Sequence, residues 1–192
     1  MKKNSSRRRD MQYVNAKSKQ NIHARIIVLT ALFAALTTVS TMTIKVPTVT
    51  GYIHPGDSMI YLGACVLPGP YGIIAGALGG GLADLLSGYP HWILPTAIIK
   101  GLNAVPFIIA CYIQAKRNKN NRIVNPLTSL ALIPSSIITI AGYFTAHLFM
   151  KDFGYAVAAV PNEVFQVAAA AALFIALGFG LDGIKFKSRV IK

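Results

Sequence analysis

Long apolar stretches alternate with short polar or basic ones along the whole chain. Five of the apolar stretches approach or exceed the roughly 20 residues that an α-helix needs to cross a bilayer. They lie at 24–43, 70–88, 94–115, 127–149 and 161–182. A sixth, 57–67, would cover only about 17 Å as a helix, so it either begins below the outer surface or forms a re-entrant arm with 70–88. The pattern predicts an all-α integral membrane protein with a bundle of six transmembrane helices.

The basic residues show which way this bundle is oriented. The chain has 19 Lys and Arg against six Asp and Glu, a net charge of +13. Sixteen of the basic residues lie before residue 26, within 116–122 or after 184. Basic residues that flank apolar runs mark the cytoplasmic side, so both chain ends are predicted inside, an N-in/C-in topology. The predicted parts are a basic cytoplasmic tail (1–23), a six-helix transmembrane domain (24–183) and a second basic cytoplasmic tail (184–192).

Composition argues against a soluble domain and against a nucleic-acid-binding protein. Residues of the hydrophobic set make up 54% of the chain and charged residues only 13%, about half the charged fraction of soluble domains. The basic clusters lack interleaved aromatic residues, which argues against a nucleic-acid partner.

The chain also lacks a GxxxxGK[ST] phosphate-binding loop, an HExxH pair and a GxSxG elbow, so neither ATP hydrolysis nor another enzyme activity is expected.

Polar side chains within the apolar runs fall near the predicted outer ends of the helices. Charges inside a bilayer are costly and usually functional. Their one-sided placement predicts a cavity that opens outward and is sealed below by apolar and small residues. The predicted lining residues are His54, Asp84, Trp92, Lys100, Asn103, Tyr143, His147, Asn162, Glu163 and Gln166. Alternatively, Lys100 pairs with Asp84 or Glu163 to tie helix ends together, and Asp57 is a simple helix cap.

Aromatic residues lie at the same predicted level as the polar ones. Tyr52, Tyr89, Trp92 and Tyr143 could stack on a flat heteroaromatic ligand, while amide and carboxylate groups bind its donors and acceptors. They could equally form an interfacial aromatic belt. The outer histidines come from different segments without metal-ligand spacing, so neither a metal site nor a cofactor is predicted.

A longer sequence stretch resembles a known family. The segment GYIHPGDSMIYLGACVLPGPYGIIAGALGGGLADLLSGYPHW at 51–92, followed by PTAIIKGLNAVPF at 95–107, is similar to the substrate-binding S components of energy-coupling factor (ECF) vitamin transporters, in the riboflavin-transporter-like family. The motifs that carry the resemblance are the opening at His54 to Asp57, GPYG at 69–72, ADLLSGY at 83–89 and IIKG at 98–101. Outside 51–107 the similarity is mainly length and the six-helix pattern.

The resemblance implies a multi-pass subunit of a prokaryotic plasma membrane, without a cofactor of its own. Such a subunit captures a vitamin or precursor and docks on a transmembrane T subunit and two ATPases. The AxxxA element of helix one, here Ala31 and Ala35, is implied to contact the T subunit. The stretch resembles subunits for hydroxymethylpyrimidine, the thiamin precursor, or pyridoxine-like compounds more than a riboflavin binder. The alternatives are a riboflavin S component, a solitary vitamin permease and, less favoured, a membrane enzyme.

Overall fold

Six helices of 11 residues or more and one small hairpin make up most of the described fold. The computed structural model describes residues 2–48, 51–117 and 122–190. In chain order the elements are α1 (Lys2–Thr43), β1 (Val46–Thr48), β2 (Gly51–Ile53), α2 (Gly56–Val66), α3 (Tyr71–Leu86), a 3-10 turn (Pro90–Trp92), α4 (Ile93–Lys116), α5 (Pro126–Met150), α6 (Phe153–Gly183) and α7 (Phe186–Val190).

Four segments within the described residues are long and apolar enough to cross a membrane. They are Gln20–Thr43, Pro90–Lys116, Pro126–Met150 and Phe153–Gly183. The remaining two, α2 with 11 residues and α3 with 16, are shorter and follow each other through the Pro- and Gly-rich turn at 67–70. Ten of the residues of α2 are buried, because this helix lies among α1, α3, α4 and α6. A helix enclosed on all sides needs no polar face, which explains its apolar composition.

Two helix boundaries differ from those that the apolar pattern predicts. Helix α6 begins at Phe153 rather than near 161, because the Asp152 side chain accepts a hydrogen bond from the backbone N–H of Tyr155 and caps the helix. Glu163 therefore lies about three turns inside the helix rather than at its start. Helix α1 begins at Lys2, so its backbone also runs through most of the predicted basic tail.

The hairpin is the one departure from an all-α fold in the described residues. Its two strands pair antiparallel, with Val46 opposite Ile53, and they connect α1 to α2. Strands of three residues are too short to carry a recognisable alternation of polar and apolar positions, so the sequence pattern did not reveal them.

Glycines let α3 pack closely against both of its neighbours. A Cβ atom on Gly79 would lie 2.6 Å from Cβ of Thr37 in α1, and one on Gly76 would lie 2.7 Å from the carbonyl oxygen of Lys100 in α4. The Thr38 hydroxyl donates to the carbonyl oxygen of Gly79 at 3.0 Å. Small residues thus bring the three backbones into direct contact, as in other membrane helix pairs.

Below the hairpin end, buried aromatic rings fill the bundle. The rings of Tyr61 and Phe107 stack at 4.5 Å, and Phe174 packs edge-on against Phe107 at 5.1 Å. All three side chains are fully buried. This agrees with the apolar seal that the sequence predicts beneath the polar residues.

Candidate functional site

A cavity of about 580 Å³ lies at the end of the bundle that carries the hairpin. The C-terminal ends of α1, α3 and α5 and the N-terminal halves of α4 and α6 contribute its walls. Its volume is in the range of small-molecule binding pockets. Nine of the ten residues predicted from the sequence line it: His54, Asp84, Trp92, Lys100, Tyr143, His147, Asn162, Glu163 and Gln166.

Asn103 is the predicted residue that does not line the cavity. It lies one helical turn beyond Lys100, is fully buried, and donates a hydrogen bond of 2.8 Å to the Thr139 hydroxyl. Its backbone carbonyl accepts a second bond from Ser135. Asn103 therefore joins α4 to α5 and is not among the residues that line this cavity.

A buried ion pair forms part of the cavity floor. The Lys100 ammonium lies 2.5 Å from a carboxylate oxygen of Asp57, and the two side chains are 3% and 0% exposed. Neither ion pair considered for Lys100 from the sequence, with Asp84 or with Glu163, is present. Asp57 is not the helix cap either, because Pro55 occupies that position and Asp57 lies in the first turn of α2. The central position of α2 brings this carboxylate under Lys100.

Gln166 attaches the hairpin to α6. Its side-chain carbonyl accepts from the backbone N–H of His54 at 2.8 Å, and its amide nitrogen donates to the backbone carbonyl of His54, also at 2.8 Å. The same nitrogen lies 3.3 Å from the Asp57 carboxylate. A glutamine side chain thus pairs with a backbone segment as a neighbouring strand would, and the amide is committed to holding the hairpin.

The ring of His54 completes this attachment. Burial, reinforced by the Lys100 charge, lowers the pKa of His54 to about 4, so the imidazole is neutral at physiological pH. Its Nδ1 accepts a hydrogen bond of 3.2 Å from the backbone N–H of Gly56 at the start of α2. His54 and Gln166 therefore line the cavity but have their polar groups bound to each other and to the backbone.

Other polar atoms in the cavity wall have no such partner. Among the described residues, buried Oδ2 of Asp84, Nδ1 of His147, Oδ1 of Asn162 and Oγ1 of Thr48 accept or donate no hydrogen bond. Glu163, 8% exposed, forms no ion pair within this part of the chain. Two further unpaired atoms in the described residues, the Tyr61 hydroxyl and Oδ1 of Asn103, lie outside the cavity lining. Buried polar groups are nearly always hydrogen-bonded in proteins, so the four unpaired atoms on lining residues are candidates for contact with a ligand.

Aromatic rings form one wall of the cavity. The Trp92 ring lies 4.9 Å from that of His147 and 6.1 Å from that of Tyr143, and His147 in turn lies 5.0 Å from Tyr155. The other two aromatic residues singled out from the sequence, Tyr52 and Tyr89, also line the cavity. These contacts give a flat ligand several ring faces on which to stack.

Sequence reasoning missed part of the lining. Tyr155 and Lys151 escaped notice because the predicted sixth helix began near 161, which left both residues in a loop. Asp152 was the available signal, since an aspartate before an apolar run commonly caps a helix. Thr96 also lines the cavity and had no distinguishing feature in the sequence.

On α1, Ala31 and Ala35 are exposed on the outside of the bundle, whereas Phe33 and Ala34 are buried inside it. The two small side chains therefore share one outward-facing stripe.

In the described part of the chain, no group of three or more His, Cys, Asp and Glu side chains is arranged to hold a metal ion.

Comparison with known proteins agrees with the resemblance seen in the sequence. Residues 21–182, which contain α2 to α5, all but the last residue of α6, the hairpin strands and every residue that lines the cavity, match the family described as ECF-type riboflavin transporter, S component. A protein of Pyrococcus woesei, described as "Uncharacterized protein in gap 3'region", is 35% identical over 156 residues, which is 80% of this chain and 95% of that protein. The chain therefore belongs to the ECF S-component family, a family of membrane transport proteins rather than enzymes, and is a substrate-binding subunit of an ECF transporter.

Proposed function

We propose that the protein captures hydroxymethylpyrimidine, the thiamin precursor, or a pyridoxine-like compound at the outer face of a prokaryotic plasma membrane. It then delivers the compound through an energy-coupling module with a transmembrane T subunit and two ATPases. The observation that carries this proposal is the cavity at one end of the bundle, where aromatic rings and unpaired polar atoms meet. The proposed ligand contacts are Asp84, Trp92, Tyr143, His147, Asn162 and Glu163, with His54, Lys100 and Gln166 holding them in place.

The unpaired atoms favour a small ring with hydrogen-bond donors at its edge. Asp84 and Asn162 each present an unpaired oxygen, and an oxygen of this kind accepts a hydrogen bond from an amino or hydroxyl group. Aminopyrimidines and pyridoxine-like compounds carry such groups on a single ring. Riboflavin also carries donors, the N–H between its two ring carbonyls and the hydroxyl groups of its side chain, so these oxygens alone do not discriminate against it. Riboflavin, the alternative ligand, is less favoured because the 51–107 stretch resembles subunits for hydroxymethylpyrimidine or pyridoxine-like compounds more than a riboflavin binder.

The proposed topology has six transmembrane segments, N-in/C-in, with the cavity facing outward. The end of the bundle opposite the cavity carries basic residues, including Arg117 and Arg122 around the connection from α4 to α5, and Lys187 and Arg189 in α7. Basic residues of this kind stay on the cytoplasmic side. The short α2 and α3 together would supply the second and third segments.

The ligand can be identified with the one tryptophan of the chain, Trp92, which lies in the cavity wall. We expect saturable one-to-one quenching of its fluorescence by hydroxymethylpyrimidine or a pyridoxine-like compound. Riboflavin, thiamin, pantothenate and biotin complete the panel, and calorimetry on the same samples excludes optical artefacts. Asn162→Ala should weaken binding at least tenfold, because it removes an unpaired acceptor. Absence of calorimetric binding by every compound would contradict the proposal.

The outward stripe of α1 is the proposed contact with the T subunit. Ala31→Leu together with Ala35→Leu should abolish uptake in cells that contain the coupling module and leave ligand binding intact, because bulky side chains prevent close helix contact. The matched control is Ala168→Leu with Ala172→Leu, which has the same spacing and also faces outward, but on α6. Loss of uptake in the control alone would place the coupling surface on α6 instead.

Two rival functions have separate tests. A solitary permease would accumulate ligand in cells that lack every energy-coupling module, where the proposed S component should show binding without uptake. A membrane enzyme would alter the bound compound chemically, and mass spectrometry of ligand recovered from the purified protein would detect the altered product.

A further inference from the structure

The charges around the cavity do not balance. Four charged side chains line it: Asp84, Glu163, Lys100 and Lys151. Lys100 is neutralised by Asp57 beneath it, and Lys151 lies exposed where α5 ends, at the mouth of the cavity. Asp84 and Glu163, each 8% exposed, have no ion-pair partner among the described residues. Lys45 does not line the cavity; its ammonium donates to the Ser87 hydroxyl at 3.2 Å and lies 4.4 Å from the centre of the Tyr52 ring. Among the lining side chains, the interior of the cavity therefore has two carboxyl groups and no uncommitted cation.

Two further observations distinguish this arrangement from a mere acidic cluster. Oδ2 of Asp84 and Nδ1 of His147 are unpartnered polar atoms on side chains more than nine-tenths buried, and both residues line the cavity. The rings of Trp92 and Tyr155 stand in the same wall, beside that of Tyr143, which already lies 5.1 Å from the Lys100 ammonium. Aromatic faces carry partial negative charge and attract cations, most strongly where water is excluded. The carboxyl groups and the rings thus favour the same sign of charge in a ligand.

We propose that the cavity selects a heteroaromatic compound that carries a positive charge when bound, and this proposal rests on the proposed capture function. Asp84 and Glu163 are the counter-charges of that compound, and the aromatic wall is its second cation contact. An anionic compound of the same size and shape is rejected. Burying a carboxylate away from water is expensive unless a counter-charge accompanies it, and the ligand supplies that charge.

The test uses compounds that share a ring and differ in charge at one substituent. Pyridoxamine, pyridoxine and 4-pyridoxic acid carry an aminomethyl cation, a neutral hydroxymethyl group and a carboxylate at the same position. The aminomethyl analogue of hydroxymethylpyrimidine provides a second matched pair, and thiamin provides a permanent cation. By calorimetry on the purified full-length protein, we expect the cationic member of a bound series to bind at least tenfold more tightly than the neutral one, a difference of about 1.4 kcal/mol. The anionic member should bind more weakly still.

Charge-neutralising variants test the assigned residues. Glu163→Gln and Asp84→Asn preserve size, and each should reduce the preference for the cation by at least fivefold while changing the affinity of the neutral compound less. The matched control is Asp152→Asn, an equal loss of charge on α6 at an exposed cap outside the cavity, where asparagine caps equally well. It should leave the preference unchanged.

The outcomes separate this inference from the capture function. If hydroxymethylpyrimidine or pyridoxine binds and its cationic counterpart binds no better, charge selection is refuted and capture stands. Equal loss of cation preference in Asp152→Asn would also refute the assignment to Asp84 and Glu163. If no compound of the panel binds, both proposals fail.

Discussion

Replacing one member of the buried ion pair should destabilise the protein far more than replacing both. Asp57→Asn leaves the Lys100 side chain, which is 3% exposed, without a counter-charge in the interior of the bundle. Breaking a buried pair in this way costs about 3–5 kcal/mol in other proteins. Because Asp57 is fully buried and lies 2.5 Å from the ammonium, we expect the cost here to fall within that range.

The double variant is the informative one. Lys100→Met added to Asp57→Asn removes the unpaired charge and keeps most of the volume of the lysine stem. Replacement of a buried ion pair by apolar groups is often neutral, so the double variant should recover at least about 2 kcal/mol relative to Asp57→Asn alone.

The measurement is a double-mutant cycle on protein purified in detergent. The free energy of unfolding of the wild type, both single variants and the double variant is obtained from reversible denaturant titrations followed by circular dichroism. The reasoning is refuted if either single substitution costs less than about 1 kcal/mol, or if the cost of the double substitution equals the sum of the two single ones.

Three further predictions concern packing and the hairpin. Gly79→Ala should destabilise the protein by about 1–3 kcal/mol, because the added Cβ atom would collide with α1. The control Gly180→Ala adds a Cβ atom in open space and should leave the free energy of unfolding unchanged. Equal unfolding curves for the two variants would contradict this prediction. Gln166→Leu should speed ligand release several-fold in stopped-flow fluorescence, because the hairpin loses its attachment to α6; an unchanged release rate would show that the attachment has no such role. Since the pKa of His54 is lowered to about 4, the native state binds fewer protons than the unfolded one. The hairpin attachment is therefore intact above about pH 6.5 and weakens as the pH falls towards 4. Hydrogen exchange at 46–48 and 51–58 should detect this as lost protection, and equal protection at pH 7 and 4.5 would contradict it.

The helices were predictable to different degrees. The lengths of the apolar runs reveal α4 and α5 to within a few residues, because Pro126 and the basic residues after α4 mark the ends clearly. The start of α6 was missed because the apolar run was taken to begin at 161, whereas the helix begins after the cap at Asp152 and continues through Pro161. A proline within a membrane helix is tolerated when neighbouring groups satisfy the freed backbone carbonyl, and the sequence alone does not show such neighbours.

The site was predictable in depth but not in pairing. The position of each polar residue along its apolar run gave its level in the bundle, and this sufficed to gather nine lining residues at one end. Which side chain meets which depends on the rotation and neighbours of each helix. Lys100 therefore pairs with Asp57 on the central α2, a pairing that the sequence analysis did not consider. The same limit applies to Asn103, which lies one helical turn beyond Lys100 and donates its hydrogen bond to Thr139 on α5.

The contacts around the cavity also bear on how a ligand would leave it. The polar groups nearest the floor, Lys100 and Asp57, are paired with each other, and the stacked rings of Tyr61, Phe107 and Phe174 fill the bundle below them. A ligand that passed straight through would have to break the ion pair and separate three fully buried rings, and loss of the packing of even one such ring costs about 3–5 kcal/mol. We therefore expect the ligand to leave by the side it entered, with the whole subunit moved in the membrane by its energy-coupling partners. A cross-link between the hairpin and α6 that leaves the ion pair and the rings untouched should then trap bound ligand, whereas passage through the floor would continue in its presence.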